Sequence, residues 1–138
     1  MGLEMSREIK FRAWDTKDKE MIYKADHAYD CGAWYDVYID VSCFGEILDD
    51  ERYIVEQYTG LEDDNDKEIY EGDIISETSD LGEDFDYHFE YIVYWNEDNL
   101  CWSVKCIDGY SWHEDLWEIN SSIKVIGNIH ENPELLEK

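Results

Sequence analysis

The alternation of apolar and polar residues along this chain predicts a protein built mainly from short β-strands. Between residues 7 and 14, Ile9, Phe11 and Ala13 alternate with Lys10 and Arg12, which is the period of a half-buried strand. A polar turn at residues 15–19 leads to a second strand at 20–24, so the two segments predict a hairpin. Similar patterns predict further strands around residues 34–41, 52–58, 74–75, 87–95, 100–107 and 124–129, and residues 69–70 form a short apolar stretch between turns.

Helical patterns are short in this sequence. Residues 44–50 show no clear period, and residues 114–118 have room for one helical turn. Pro133 follows Asn132, an arrangement typical of the first turn of a helix, so we expect a short C-terminal helical turn. With about eight or nine strands, the fold class is predicted to be mainly β, as a barrel or a sandwich, with α+β as the alternative. The length predicts a single domain, which we expect at residues 7–138, and we expect residues 1–6 to be a disordered leader.

The net charge limits the classes of partner that such a fold can bind. The chain has 36 acidic and 11 basic residues, a formal net charge of −25. Its hydrophobic content of 43%, with many aromatic residues, is high enough to offset the self-repulsion of a folded domain. Phosphates and anionic lipids would be repelled, so we expect no direct binding to nucleic acid or membrane. No apolar run has the length of a signal peptide or a membrane span, and a cytoplasmic location is therefore expected.

Motifs for catalysis or cofactor binding are weak. No pair among the cysteines has the two-residue spacing of a zinc or redox motif, which favours free thiols over a disulfide or a metal site. The histidines match no ligand pattern either. No glycine-rich phosphate loop or nucleophile elbow is present, so we expect a protein without a cofactor and without enzymatic activity. The residues concerned are Cys31, Cys43, Cys101, Cys106, His27, His88, His113 and His130.

An acidic turn at residues 63–66 raises the question of calcium binding. A calcium loop of the EF-hand type that begins at Asp63 would need Gly at its sixth position and Glu at its twelfth. Glu68 and Ile74 occupy these positions. A solvated hairpin turn is therefore favoured, and a weak divalent-cation site or a small hydrolase is the alternative.

Four short stretches, at residues 7–15, 57–61, 68–74 and 125–136, resemble the YopX family of small bacteriophage and prophage proteins. The resemblance implies a mostly β fold, a phage origin and self-association, and it implies no catalytic residues. In the family the turn after Leu61 tends toward Asp-x-Asn-Gly, whereas this chain has Asp66 at the glycine position. Asp tolerates a left-handed backbone better than most residues. Gly72 is expected to provide a similar special conformation, and Asp73 to accept hydrogen bonds from nearby backbone donors.

The acidic residues themselves provide the sharpest functional hypothesis. If they gather on one face of a hairpin, their charge density approaches that of duplex DNA, which has one charge per roughly 1.7 Å of its axis. Such a face would fit the basic groove of a host or phage protein that handles nucleic acid. A diffuse solvated surface is the simpler interpretation, and a homo-oligomer joined through exposed strand edges is a further alternative. The residues proposed to bind a partner are Asp80, Glu83, Asp84, Asp86, Glu90, Glu97 and Asp98.

Overall fold

Eight β-strands, one short α-helix and three 3-10 turns make up the part of the chain that the structure, a computed structural model, describes. This part comprises residues 8–27, 43–78, 87–107, 109, 113–119 and 122–137. Within these ranges, every helical segment is too short or too polar to cross a lipid bilayer. In chain order the elements are β1 (Phe11–Asp15), β2 (Glu20–Ile22), a 3-10 turn (Ala25–His27), α1 (Phe44–Asp49), β3 (Tyr53–Glu62), β4 (Glu68–Tyr70), β5 (Asp73–Thr78), β6 (His88–Asn96), β7 (Cys101–Cys106), a 3-10 turn (Leu116–Glu118), β8 (Ser122–Asn128) and a 3-10 turn (Pro133–Leu136).

The prediction of a mainly β fold is confirmed. The predicted hairpin is present as β1 with β2, the strands predicted at 87–95 and 100–107 pair as β6 with β7, and the C-terminal turn begins at Pro133. The helix α1 was not predicted, because its six residues are too few to show a helical period. The strand predicted at residues 34–41 lies outside the described residues.

The chain divides into two compact units, Met1–Gly60 and Leu61–Lys138. Its strands form two four-stranded sheets, with the orders β2-β1-β3-β4 and β7-β6-β5-β8, and every described pairing register is antiparallel. The strand β3 begins in the first unit and ends in the second. Whether residues 7–138 fold as a single domain stays a prediction.

Ion pairs support the small core of the first unit. Arg12 and Glu56 lie on neighbouring positions of β1 and β3, and their side chains join at 2.9 Å in the interior. At the end of β1, Arg52 binds Asp15 through two hydrogen bonds of 2.8 and 2.7 Å and also reaches Asp18 at 3.1 Å. The apolar core around these pairs is formed by Ala13, Ala25, Ile47 and Tyr53.

The second unit has a larger core on one face of its sheet. Ile75 and Tyr91 lie opposite each other on β5 and β6, and Val93 lies opposite Val104 on β6 and β7. Residues from outside this sheet cover them, so that the fully buried group also includes Ile69, Leu116 and Ile119. Period-2 alternation along β6 and β7 therefore produces this apolar face as the sequence predicts.

Both edge strands of the second sheet are partly covered by hydrogen bonds from other segments of the chain. On β7, the Val104 amide donates to the Glu114 carbonyl at 2.8 Å. On β8, the Val125 amide donates to the Asp63 carboxylate at 2.9 Å, and the Ile123 carbonyl accepts from the Asp64 amide at 3.0 Å. Covered edges are less able to pair with a second copy of the chain, so they do not favour association through these strands.

The stretches that resemble the YopX family hold turns in place. Gly72 has a φ of +85°, and the Asp73 carboxylate accepts a hydrogen bond from the Tyr70 amide at 2.8 Å, as predicted for both. Near the C-terminus, the Asn132 side chain accepts from the Asn128 amide at 3.2 Å and packs so closely on Gly127 that a Cβ atom there would clash with it. These residues fix backbone geometry rather than present reactive groups.

Candidate functional site

The acidic turn between β6 and β7 places two of the predicted partner-binding residues at the surface. Glu97 and Asp98 are both exposed there. The Asn96 side chain holds the turn by accepting hydrogen bonds from the Asp98 amide at 3.0 Å and the Asn99 amide at 3.2 Å. We refer to residues 95–102 as the hairpin tip.

Apolar side chains accompany the acids at the hairpin tip. Trp95 and Trp102 face each other across the strands with an edge-to-face geometry and 4.9 Å between ring centroids. Leu100 is 73% exposed and has a φ of +54°. A left-handed backbone costs a residue of this kind about 1–2 kcal/mol, and its side chain gains little burial in return. An exposed, strained leucine beside two tryptophans and two carboxylates is a reason to consider a contact surface.

The remaining predicted acids do not enlarge this surface within the described residues. Glu90 lies opposite Ser76 on β5, is only 4% exposed and has the His88 imidazole 3.9 Å from its carboxylate. It therefore belongs to the interior. Four other residues proposed to bind a partner lie outside the described residues: Asp80, Glu83, Asp84 and Asp86.

Negative charge is concentrated in the second unit. After Gly60 the sequence contains 22 of the 36 acidic residues but only 4 of the 11 basic ones, a formal charge of 4 − 22 = −18 for that unit. Lys67, Lys105 and Lys124 are exposed, and none of them makes an ion pair with a carboxylate in the described ranges. In the first unit, by contrast, both described arginines are bound to acidic partners. The exposed carboxylates therefore make the electrostatic potential around the second unit negative.

A buried carboxylate lies inside the second unit, and sequence reasoning missed it. Glu77 is fully buried on β5, where it accepts hydrogen bonds from the Tyr91 hydroxyl at 2.7 Å and the Tyr87 hydroxyl at 3.4 Å. The His113 Nε2 atom lies 3.3 Å from Oε2, the same carboxylate oxygen that accepts from Tyr87. Several polar partners compensate for the burial of the carboxylate, and they attach the segment around His113 to the sheet. The sequence has no clear local signal for it, because β5 also contains Asp73, Ser76 and Thr78.

An apolar pocket of about 280 Å³ opens on the surface of the second unit. Its floor consists of buried Ile69, Leu116 and Ile119 together with the half-buried Ile123. Exposed side chains border it: two are apolar and two are acidic, namely Leu61, Trp117, Glu62 and Asp64. No local sequence pattern indicates this pocket, because its walls come from segments far apart along the chain.

The acidic turn at residues 63–66 uses its first carboxylate to organise the backbone. Asp63 accepts hydrogen bonds from the amides of Asn65 at 2.8 Å, Lys67 at 2.9 Å and Val125 at 2.9 Å. Burial alone would raise the pKa of Asp63, but these three donors favour the carboxylate and keep that pKa below its usual value. Asp66 has a φ of +62°, the left-handed conformation expected at the glycine position of the family turn. Among the described residues, no group of three or more His, Cys, Asp or Glu side chains could hold a metal ion.

The thiol of Cys101 is the remaining group of chemical interest. It donates to the Asp115 carboxylate at 3.3 Å, and the Ser103 hydroxyl donates to the same oxygen at 3.1 Å. The Ser103 hydroxyl favours the thiolate, but partial burial and the charge of Asp115 outweigh it and raise the pKa of Cys101. A thiol held in the protonated state is a poor nucleophile. Cys43, Cys101 and Cys106 are free thiols, and Cys31 lies outside the described residues.

Comparison with known proteins places this chain within one sequence family. The family model described as YopX protein matches residues 10–137. A crystal structure of protein EF1440 from Enterococcus faecalis is similar over 95% of this chain and 99% of that chain, with 27% sequence identity and a TM-score of 0.61. No curated protein matches the chain. Neither description states an activity.

Proposed function

The chain belongs to the YopX family, and we propose that it is a non-enzymatic protein-binding module, of phage origin, that contacts a basic protein through its second unit. The observation that supports the proposal is that exposed apolar side chains and two exposed carboxylates lie together at the hairpin tip. Aromatic residues supply much of the binding energy of protein interfaces. Carboxylates around them steer a basic partner and select against acidic ones.

Within this proposal, the finer hypothesis is that the acidic surface imitates DNA. The partner would then be a host or phage protein whose groove normally holds nucleic acid. The formal charge of −18 on the second unit supports a basic partner. Mimicry additionally requires that the partner release the protein when DNA is added. This requirement separates a mimic from an ordinary acidic ligand.

The test is affinity capture from bacterial lysate at two salt concentrations, with bound proteins identified by mass spectrometry. Wild-type protein is compared with a double variant of the hairpin tip, Glu97→Gln with Asp98→Asn. A matched control removes the same charge from exposed positions of the first unit, Asp49→Asn with Glu51→Gln. We expect basic proteins that are released by high salt, retained by the control variant and lost from the tip variant.

Duplex DNA added as a competitor tests the mimicry. Release of the captured protein by DNA supports it, and capture that is unaffected by DNA leaves an acidic binding module without mimicry. The whole proposal is rejected if the captured proteins are neutral or acidic, or if the tip variant and the control capture equally well.

A further inference from the structure

The geometry points to the apolar pocket of the second unit as a receptor for one apolar side chain that is flanked by Lys or Arg on a partner polypeptide. This inference rests on the proposed function for its choice of a basic partner. It concerns a surface defined by residues other than those of the hairpin tip, so the two can be tested separately.

The size and lining of the pocket favour a side chain as its occupant. A volume of about 280 Å³ lies just below the range of about 300–1,000 Å³ that is usual for small-molecule sites. Its floor is aliphatic, with Ile69 and Leu116 almost fully buried. Burial of this apolar surface by a bound side chain is favourable, but the floor has no set of polar groups that could orient a reactive ligand.

The border of the pocket carries exposed apolar side chains, including one of the kind that contributes most to binding at protein interfaces. Trp117 is 69% exposed and lies beside Leu61, which is 42% exposed. Trp is the residue type most enriched among binding hot spots, and an exposed indole also attracts cations to its face. A tryptophan that borders an apolar floor is therefore well suited to close over a bound side chain.

Charge determines what must flank that side chain. Glu62 and Asp64 are exposed at the border of the pocket. The surrounding unit carries a formal charge of −18. A carboxylate on the partner at this position would be repelled, whereas Lys or Arg would be attracted. The complementary motif is thus an apolar residue with basic neighbours.

The walls of the pocket are already fixed by hydrogen bonds. The Asp64 amide donates to the Ile123 carbonyl at 3.0 Å, and the Ser122 hydroxyl donates to the Asp64 side chain. On the opposite wall, the Asp115 amide donates to the Glu118 carboxylate at 3.0 Å, which caps the turn that presents Trp117. A preformed pocket loses little conformational entropy when it binds.

The probe is a set of synthetic five-residue peptides with a central Leu or Trp and Lys on both sides. One matched peptide has Gly at the centre, and another replaces each Lys with Glu. Full-length protein labelled at its Ile and Leu methyl groups is titrated and followed by NMR. We expect the methyl signals of Ile69, Leu116, Ile119 and Ile123 to shift with the first peptides and to stay in place with the matched ones.

Variants identify the pocket as the site. Trp117→Ala is expected to weaken binding about tenfold, the effect of a modest hot spot. Glu62→Gln is expected to weaken it about threefold at low salt and less at high salt. Leu48→Ala, which removes an exposed apolar side chain from α1 in the first unit, is the control and should leave the peptide affinity unchanged.

Three outcomes overturn the inference: unchanged floor signals at millimolar peptide, equal binding of the Leu and Gly peptides, or floor signals that shift with protein concentration alone. The last would show that a second copy of the chain occupies the pocket. Failure of affinity capture with intact peptide binding would reject the proposed function and leave the pocket assignment standing. The reverse result would reject only the pocket assignment.

Discussion

The Arg12 Nε atom lies 2.9 Å from the Glu56 Oε1 atom, and the two side chains are 2% and 4% exposed. They occupy paired positions of β1 and β3, so the ion pair joins two strands within the interior of the first unit. The loss of one partner leaves the other charge buried and uncompensated, a situation that typically costs about 3–5 kcal/mol. A buried pair of this kind adds little net stability compared with two apolar side chains of similar volume.

The first prediction follows from this pair. Arg12→Met or Glu56→Leu alone should lower the free energy of unfolding by about 3–5 kcal/mol, because each leaves one buried charge. The double variant should recover most of that loss, since it removes both charges. Urea denaturation of all four proteins, followed by circular dichroism, gives the coupling energy. Additive losses in the double variant would show that the two residues do not act as a pair.

A second prediction concerns acid stability. The hydrogen bonds from Arg52 hold the pKa of Asp15 at about 2, below its ordinary value of 3.8, although burial acts in the opposite direction. A lowered pKa in the folded state stabilises the protein above the unfolded pKa, and this contribution is lost as the pH falls from about 4 to about 2. One pKa unit corresponds to about 1.4 kcal/mol, so the loss should be no more than about 2.5 kcal/mol.

Replacement of the partner tests the cause of this acid sensitivity. Arg52→Gln should reduce stability at pH 7 by about 1–2 kcal/mol and should reduce the change between pH 4 and pH 2. Lys17→Gln is the control, because Lys17 is exposed and no ion pair of its side chain is seen in the described part of the chain. Urea denaturation between pH 2 and pH 7 makes the comparison. Parallel pH profiles for wild type and Arg52→Gln would contradict the assignment.

The third prediction concerns the buried carboxylate of the second unit. Tyr91→Phe removes the 2.7 Å hydrogen bond to Glu77 and leaves a buried charge with one donor fewer. Hydrogen bonds to charged groups contribute about 1.5–3 kcal/mol, and we expect a loss of that size in thermal or urea unfolding. Tyr94→Phe lies on the same strand at an exposed position and should change stability by less than about 0.5 kcal/mol. Equal effects of the two substitutions would show that the carboxylate does not depend on Tyr91.

The sequence predicted strands well where the period of two was strict. β6 and β7 alternate because one face of each meets the apolar core of the second unit, and this requirement is visible in stretches of six to nine residues. In β1 the apolar residues also alternate, although both faces of that strand are buried. Asp66 and Gly72 were also predictable, since a left-handed backbone restricts the choice of residue. The helix α1 was missed because local propensity is weak over so few residues.

The contact surfaces were harder to predict because they depend on distant residues. Glu90 and Glu97 are both acidic residues on or next to one strand, yet the first is buried and the second is exposed. Only the strand neighbours, such as Ser76 opposite Glu90, distinguish them. The pocket beside Trp117 is formed by residues that lie up to 62 positions apart, from Leu61 to Ile123. No local sequence pattern indicates that these distant residues come together in the fold.

The last prediction separates stability from binding at the hairpin tip. Leu100 has a left-handed backbone and a side chain that is mostly in water. Leu100→Asn should therefore raise the free energy of unfolding by about 1 kcal/mol, because Asn adopts this conformation at lower cost. Leu48→Asn is the matched control: Leu48 is also exposed, but it lies in the helix α1 and its backbone is not left-handed. This control should give no gain in stability.

The same substitution should weaken capture of the basic partner, because it removes an exposed apolar side chain of the hairpin tip. If the Leu100→Asn variant is more stable but binds the partner less well, the strained backbone at Leu100 is kept because the leucine is needed for binding. Urea denaturation and affinity capture on the same preparations provide both measurements. If Leu100→Asn is more stable and binds equally well, the hairpin tip is not the contact surface. If the Leu100→Asn variant is less stable than the wild type, the left-handed backbone of Leu100 does not destabilise the fold. The proposal that a strained leucine is kept for binding would then be rejected.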